Sequence, residues 1–315
     1  MRNCRRPRNF TKGSPTLQQI DAHRSVECLV CNNELEVIRL AGVTLFQTAI
    51  FAIIQGITEL FPISSVAHGV LTPYVLGWNL DPQFLQEHFL PYVVMLHLGT
   101  ALALLLFFWR DWVGILVSLF DAQQKASRRL LLLVVVGTIP AAVIGYVLEK
   151  PIRNAFSSVT SAAFFLLVNG FLLFFGERWR GRGSKEITEI STGQALLVGL
   201  FQSLALIPGF SRSGASMTAG FWVGLKHEAA ARFSMLLATP IILGAGVLEV
   251  PKLLHGGGQG LLRLSLLGGV LAGAVAFVSV WILMRWFKRR EIDAMRPFAY
   301  YCWLVGGLVL LVHLL

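Results

Sequence analysis

Residues 55–68 read QGITELFPISSVAH and set an amide, a carboxylic acid, three hydroxyls and an imidazole within fourteen positions. Gln55 and Glu59 are four apart, so on a helix they share one face, a turn apart. Pro62 is expected to stop that helix at about Phe61. Ser64 and Ser65 then fall in the turn, and residues 66–76 can restart as a half-helix. The first turn of such a half-helix carries unpaired N–H groups and partial positive charge, a setting for phosphate or carboxylate. His68, three residues after Ser65, is close enough to share a ligand with it or to exchange a proton. A second polar stretch, PGFSRSGAS at residues 208–216, supplies a cation. Pro208-Gly209 stops a helix, Ser211, Arg212 and Ser213 offer hydroxyls and a guanidinium, and Gly214 lets backbone N–H groups approach a ligand closely. A lone arginine near a bilayer midplane costs about 2.5–3.5 kcal/mol on insertion scales, so Arg212 needs an anionic partner, either Glu59 or a bound phosphate. Its planar fork suits phosphate. Blander roles compete: Glu59 and Arg212 could only tie two segments together, and the serines could only cap helices. Their concentration at two matching breaks favours chemistry.

These residues sit in a chain built for lipid. Of 315 residues, 55% are apolar and 14% charged, and the mean hydropathy is +0.66. Such a composition excludes an ordinary soluble domain. Apolar runs near the length of a bilayer crossing recur at about 92–109, 130–148, 159–176, 233–250, 264–286 and 297–315, which predicts six spans in an all-α polytopic membrane protein. Residues 43–77 and 193–225 are also apolar but are broken by Pro62 and Pro208-Gly209, so they read as re-entrant helical hairpins. Each hairpin carries a glutamine before its proline (Gln55, Gln202), then paired serines, and each is followed by three spans. Because three is odd, the second copy enters the membrane from the opposite side. The predicted organisation is a tail over 1–42, a first repeat over 43–192 and an inverted second repeat over 193–315, with the broken tips meeting near the midplane.

The net charge of +10 resides in short loops between spans and signals topology, not nucleic acid. Loops 110–129, 177–192, 226–232 and 285–296 hold 15 Lys and Arg, against 4 in loops 78–91, 149–158 and 251–263. The first set is therefore expected to be cytoplasmic and the C-terminus outside. The tail disagrees, because its seven Lys and Arg would fall outside. Either the downstream loops outvote it, or it reflects a start codon placed too far upstream; the second is preferred because the first apolar segment begins only after residue 42. The tail has no apolar core of signal-peptide kind and is expected to be poorly ordered. Cys28 and Cys31 form a CxxC without a second pair or surrounding strands, so no metal or redox role is expected there. His97 could line the same cavity as the two breaks, and Asn169 reads as an interhelical hydrogen bond.

The segment from Gln55 to His68 resembles the first signature of the undecaprenyl-diphosphate phosphatase family, the bacitracin-resistance proteins, and PGFSRSGAS resembles the second. Similarity runs from about residue 43 to the C-terminus. The resemblance implies cleavage of a polyprenyl diphosphate to the monophosphate and inorganic phosphate at the outer face of a bacterial inner membrane. That reaction recycles the carrier lipid of peptidoglycan synthesis and confers bacitracin resistance. It also implies a divalent cation, Mg²⁺ or Ca²⁺, held by Glu59 with Gln55. Matched residue by residue, Glu59, Ser65, His68 and Arg212 are the expected catalytic set, with Ser64, Ser211, Ser213 and Gly214 on the phosphates. Ser65 is the first choice of nucleophile with His68 as its proton partner; water or His68 itself are the alternatives. Gln55 stands where many members have Glu, which removes one carboxylate from the metal site. Val66-Ala67 replaces a small polar-Gly pair. The expected partners are the lipid substrate and surrounding lipids, with a homodimer left open and no nucleic acid. The competing class is a polyprenyl-phosphate transporter or flippase, since broken helices in an inverted repeat are also a transport device.

Overall fold

The computed structural model of the protein describes residues 42–148, 158–179, 183–256, 258–290 and 293–315. The expected tail up to residue 41, with Cys28 and Cys31, and nearly all of the expected outer loop 149–158 lie outside the described residues. Six helices are long and apolar enough to cross a membrane: Phe84–Phe107, Lys125–Val147, Val159–Arg178, His227–Gly256, Gly258–Arg289 and Arg296–Leu314. They fall where the six apolar runs predict them. A helix of about 20 residues spans ~30 Å, the thickness of the hydrocarbon core.

In chain order the α-helices are α1 Leu45–Thr58, α2 Ser65–Val75, α3 Phe89–Phe107, α4 Trp109–Phe120, α5 Lys125–Val147, α6 Val159–Arg178, α7 Thr192–Gln202, α8 Arg212–Trp222, α9 His227–Gly256, α10 Gly258–Arg289 and α11 Arg296–Leu314. Local signals fix the starts of both hairpins. Thr44 and Gln47 form a capping box at the head of α1, and Ser191 and Gln194 do the same for α7, satisfying N–H groups that an apolar environment would leave orphaned.

Several expected loops need correction, and that at 226–232 already belongs to α9 from His227 on. The stretch 110–129 is not simply a loop, because α4 occupies residues 109–120. Its charged residues Arg110 and Asp111 hide an amphipathic pattern: Ile115 and Ser118 are buried while Trp109, Leu116 and Phe120 are exposed, the distribution of a helix lying in a membrane interface. The expected loop 251–263 is helical too, since α9 runs to Gly256 and α10 starts at Gly258. Polar and glycine residues there mark exit from the hydrocarbon, not the end of a helix.

Small residues set the packing. Gly99 of α3 meets α10 so closely that a Cβ on it would stand 1.8 Å from the Gly269 carbonyl oxygen. On α7, a Cβ at Gly199 would stand 2.2 Å from the Gly137 oxygen of α5, and one at Gly56 of α1 would stand 2.6 Å from the Ala272 oxygen of α10. Close backbone approach at small residues is how helices associate where lipid removes the hydrophobic incentive. The pairing is crossed: α1 packs on α10 and α7 packs on α5. Each hairpin thus leans on a long helix from the other half of the chain, which brings the two breaks together.

Candidate active site

Glu59 is the hub. It follows α1 directly as its C-terminal cap and is only 6% exposed. Gln55, one turn earlier, donates through Nε2 to Glu59 Oε2 at 3.1 Å. Between Glu59 and α2 the chain turns through Ser64, whose φ of 67° is a conformation a side-chain-bearing residue adopts reluctantly. That turn reverses the chain and aims Ser65 back at the end of α1, so that Ser65 Oγ donates to Glu59 Oε2 at 2.7 Å. Ser64 caps α2, its hydroxyl accepting from Ala67 N at 3.3 Å.

The second break repeats the construction. Gly209 has φ 118°, and a Cβ there would lie 2.4 Å from Phe165 Cβ, so glycine is required on both counts. Ser211 caps α8, accepting from Gly214 N at 3.1 Å. Arg212, the first residue of α8, directs Nε and Nη2 to Glu59 Oε1, each at 3.3 Å, and Nη1 to the Ser234 carbonyl at 2.9 Å. Gln55, Ser64 and Ser65 stand at one constant offset in sequence from Gln202, Ser211 and Arg212. The same local frame therefore presents a hydroxyl from one break and a guanidinium from the other.

A third element completes the cluster. His97 of α3 brings Nε2 to 3.1 Å from Glu59 Oε2 and 3.5 Å from Ser65 Oγ. Its Nδ1 donates to the Val93 carbonyl at 2.8 Å, which fixes the ring. Glu59 thus gathers Gln55, Ser65, His97 and Arg212, and a buried carboxylate demands such pairing. Glu59, Ser65, His97 and Arg212 line one cavity, whose remaining wall is largely apolar, including Val93, Ile241 and Ala245.

Other expected residues sit differently. His68 faces away from Ser65: Nδ1 donates to the Ser64 carbonyl at 2.7 Å and Nε2 pairs with the Tyr301 hydroxyl of α11 at 2.8 Å, with the two rings stacked. The expected Ser65–His68 proton pairing is not formed. The reason is that Ser65 is the first residue of α2 and leans back over the break, while His68 points across to α11. Ser64 and Ser211 line the cavity while serving as caps. Ser213 Oγ donates to the Phe61 carbonyl at 3.2 Å, tying one tip to the other, and Gly214 packs against Leu173 and Pro62. Asn169, fully buried on α6, clasps both breaks. Its Nδ2 donates to the Pro62 carbonyl at 3.1 Å and its Oδ1 accepts from Ser211 N at 3.0 Å.

Among the described residues, no three His, Cys, Asp or Glu side chains gather as a metal cluster. The Glu59 carboxylate lines the cavity, while Gln55, whose Nε2 is turned to that carboxylate, is not among the lining residues; a hard cation held here would draw most of its ligands from water and phosphate oxygens.

A family model described as bacitracin resistance protein BacA matches residues 48–308. The chain belongs to that family. Among its relatives, "Undecaprenyl-diphosphatase 2" of Oenococcus oeni is 55% identical over 261 residues, 83% of this chain and 96% of the relative. "Undecaprenyl-diphosphatase 2" of Chromobacterium violaceum is 48% identical over 273 residues, 85% of this chain and 98% of the relative. "Undecaprenyl-diphosphatase" of Acidiphilium cryptum is 48% identical over 272 residues, 84% of this chain and 96% of the relative. The two breaks and the six spans all lie inside or overlap the matched segment.

Proposed function

We propose that this protein is an integral-membrane phosphatase that hydrolyses undecaprenyl diphosphate to undecaprenyl phosphate and inorganic phosphate. The observation that carries the reading is the meeting of Ser65 and Arg212, from two separate helix breaks, on one buried carboxylate. The names of its relatives agree with it, and none of those cited is named as a carrier. Arg212 is the phosphate clamp: it leaves Glu59 Oε1 to take an oxygen of the diphosphate, and a guanidinium so placed is worth roughly 10³–10⁵ in rate in phosphoryl transfer. Ser65 holds its hydroxyl hydrogen toward Glu59, leaving its lone pairs for the terminal phosphorus. As the Oγ–P bond forms, the bond from phosphorus to the bridging oxygen breaks, and its electron pair leaves on undecaprenyl phosphate. The hydroxyl proton passes to the Glu59–His97 pair. Water then attacks the phosphoserine, the Oγ–P bond breaks, and inorganic phosphate departs as Ser65 regains a proton.

A divalent cation, Mg²⁺ or Ca²⁺, belongs to the same reading; Glu59 would hold it, and it would neutralise charge on the diphosphate. Val93, Ile241 and Ala245 offer an apolar wall to the first units of the prenyl chain. The resemblance to the bacitracin-resistance family supports a bacterial inner-membrane setting with the site reached from the outer face, while the asymmetry of basic loops only orients the spans. The test is phosphate release from undecaprenyl diphosphate by purified protein, comparing wild type with Arg212→Ala and Glu59→Ala, with and without EDTA. Metal-dependent release that both folded variants lose is expected. No release from folded wild type would overturn the reading.

A further inference from the structure

We propose that Gln202 orients the water that completes hydrolysis, holding it against a phosphoryl oxygen; this rests on the phosphatase reading above. Gln202, the last residue of α7, is 2% exposed and lines the same cavity as Glu59, Ser65 and Arg212. Neither its Oε1 nor its Nε2 has a hydrogen-bond partner, and among the described residues it is the one side chain lining this cavity with a buried unpartnered polar atom. Leaving both ends of a buried amide unsatisfied is costly, and such a group persists where a ligand completes it.

The counterpart in the first hairpin shows why no protein group meets this amide. Gln55 spends its amide on Glu59, four residues on. The residue four on from Gln202 is Leu206, which offers nothing, so the same frame leaves the second glutamine for something else. The chemistry of that something follows from the amide itself. Nε2 donates, and diphosphate oxygens accept. Oε1 accepts, and an ionised phosphate has no proton to give it, so its donor is water. An amide that grips a phosphoryl oxygen with one end and a water with the other sets that water beside phosphorus, an arrangement known to orient the nucleophile in other phosphoryl transfers.

The proposal sets the effects of one substitution on rate and on stability in opposite directions. Gln202→Leu removes a buried amide that no protein group satisfies, so the thermal midpoint of the detergent-purified protein without substrate is expected to hold or rise. Turnover of undecaprenyl diphosphate is expected to fall roughly 10- to 100-fold in kcat, the worth of hydrogen bonds at a charged centre, with a much smaller change in KM. Gln202→Met, closer in shape, provides the same comparison if leucine disturbs the turn. Wild-type kcat in either folded variant would overturn the proposal. So would a fall in kcat that tracks a fall in midpoint, because that is the mark of a structural residue. Failure of wild type to release phosphate would sink the phosphatase reading instead, so the two failures are distinguishable.

Discussion

Replacing Asn169 by alanine would test how the two breaks are held in register. Its side chain serves the Pro62 carbonyl at 3.1 Å and the Ser211 N–H at 3.0 Å. Both are main-chain groups at a helix break, buried where water cannot substitute. Stranding a buried donor or acceptor costs about 1–3 kcal/mol, so losing both is expected to cost about 2–6 kcal/mol. That is a large share of the ~5–15 kcal/mol by which proteins are stable. In a thermal melt of detergent-purified protein, the midpoint is expected to fall by roughly 4 °C or more. Turnover measured well below the new midpoint should fall further than the folded fraction, because Ser65 and Arg212 depend on the positions of Pro62 and Ser211. An unchanged midpoint together with wild-type turnover would refute the reasoning. It would mean that the tips are set by their own hairpins and that Asn169 only fills space.

Gly99→Ala should destabilise by at least the 1–3 kcal/mol typical of overpacking, since its Cβ would press on a main-chain oxygen at 1.8 Å. Gly244→Ala, where nothing lies within 4 Å, should melt at or slightly above the wild-type temperature. His97→Leu should lower kcat/KM by roughly 10- to 100-fold by removing a hydrogen bond to the Glu59 carboxylate, whereas His97→Gln, which can still donate, should lose less; equal losses in steady-state assays would count against that bond. Tyr301→Phe removes the partner of His68 Nε2 and should cost about 1 kcal/mol of stability, read by thermal melt.

Spans are legible in sequence because a bilayer demands continuous apolar length, and the six runs meet that demand. The breaks are legible because proline coincides there with clustered serines and charged groups, whereas the isolated Pro140 and Pro240 sit inside unbroken α5 and α9. What escaped is what depends on three dimensions. His97 reads from the sequence as a lining residue of the same cavity, which it is, but its contact with the Glu59 carboxylate has no local signal on an apolar helix far from either motif. Asn169 reads as an interhelical bond, but nothing nearby in sequence names Pro62 and Ser211 as its partners. The direction of His68 was missed because helical spacing counts residues from Ser65, whereas Ser65 itself is turned by the left-handed backbone of Ser64. The Ser65–Glu59 bond, by contrast, crosses a turn to which no simple periodicity applies.

The crossed support of the hairpins has a consequence for how the chain is made. The helix on which α1 rests, α10, begins about 200 residues after α1 ends. At a synthesis rate of about 5–20 residues per second, the first hairpin must wait roughly 10–40 s for its support to leave the ribosome. For about the first 150 of those 200 residues Gln55, Glu59 and Ser65 lack Arg212, and until the end of the wait they lack the α10 surface against which to close. A cysteine placed beside Glu59 is thus expected to react with a water-soluble thiol reagent in ribosome-bound chains that stop before α10, and to be protected in the finished protein. The halves of this molecule are obligate companions: neither can shelter its own polar tip, and assembly is completed only when the last third of the chain is threaded beside the first.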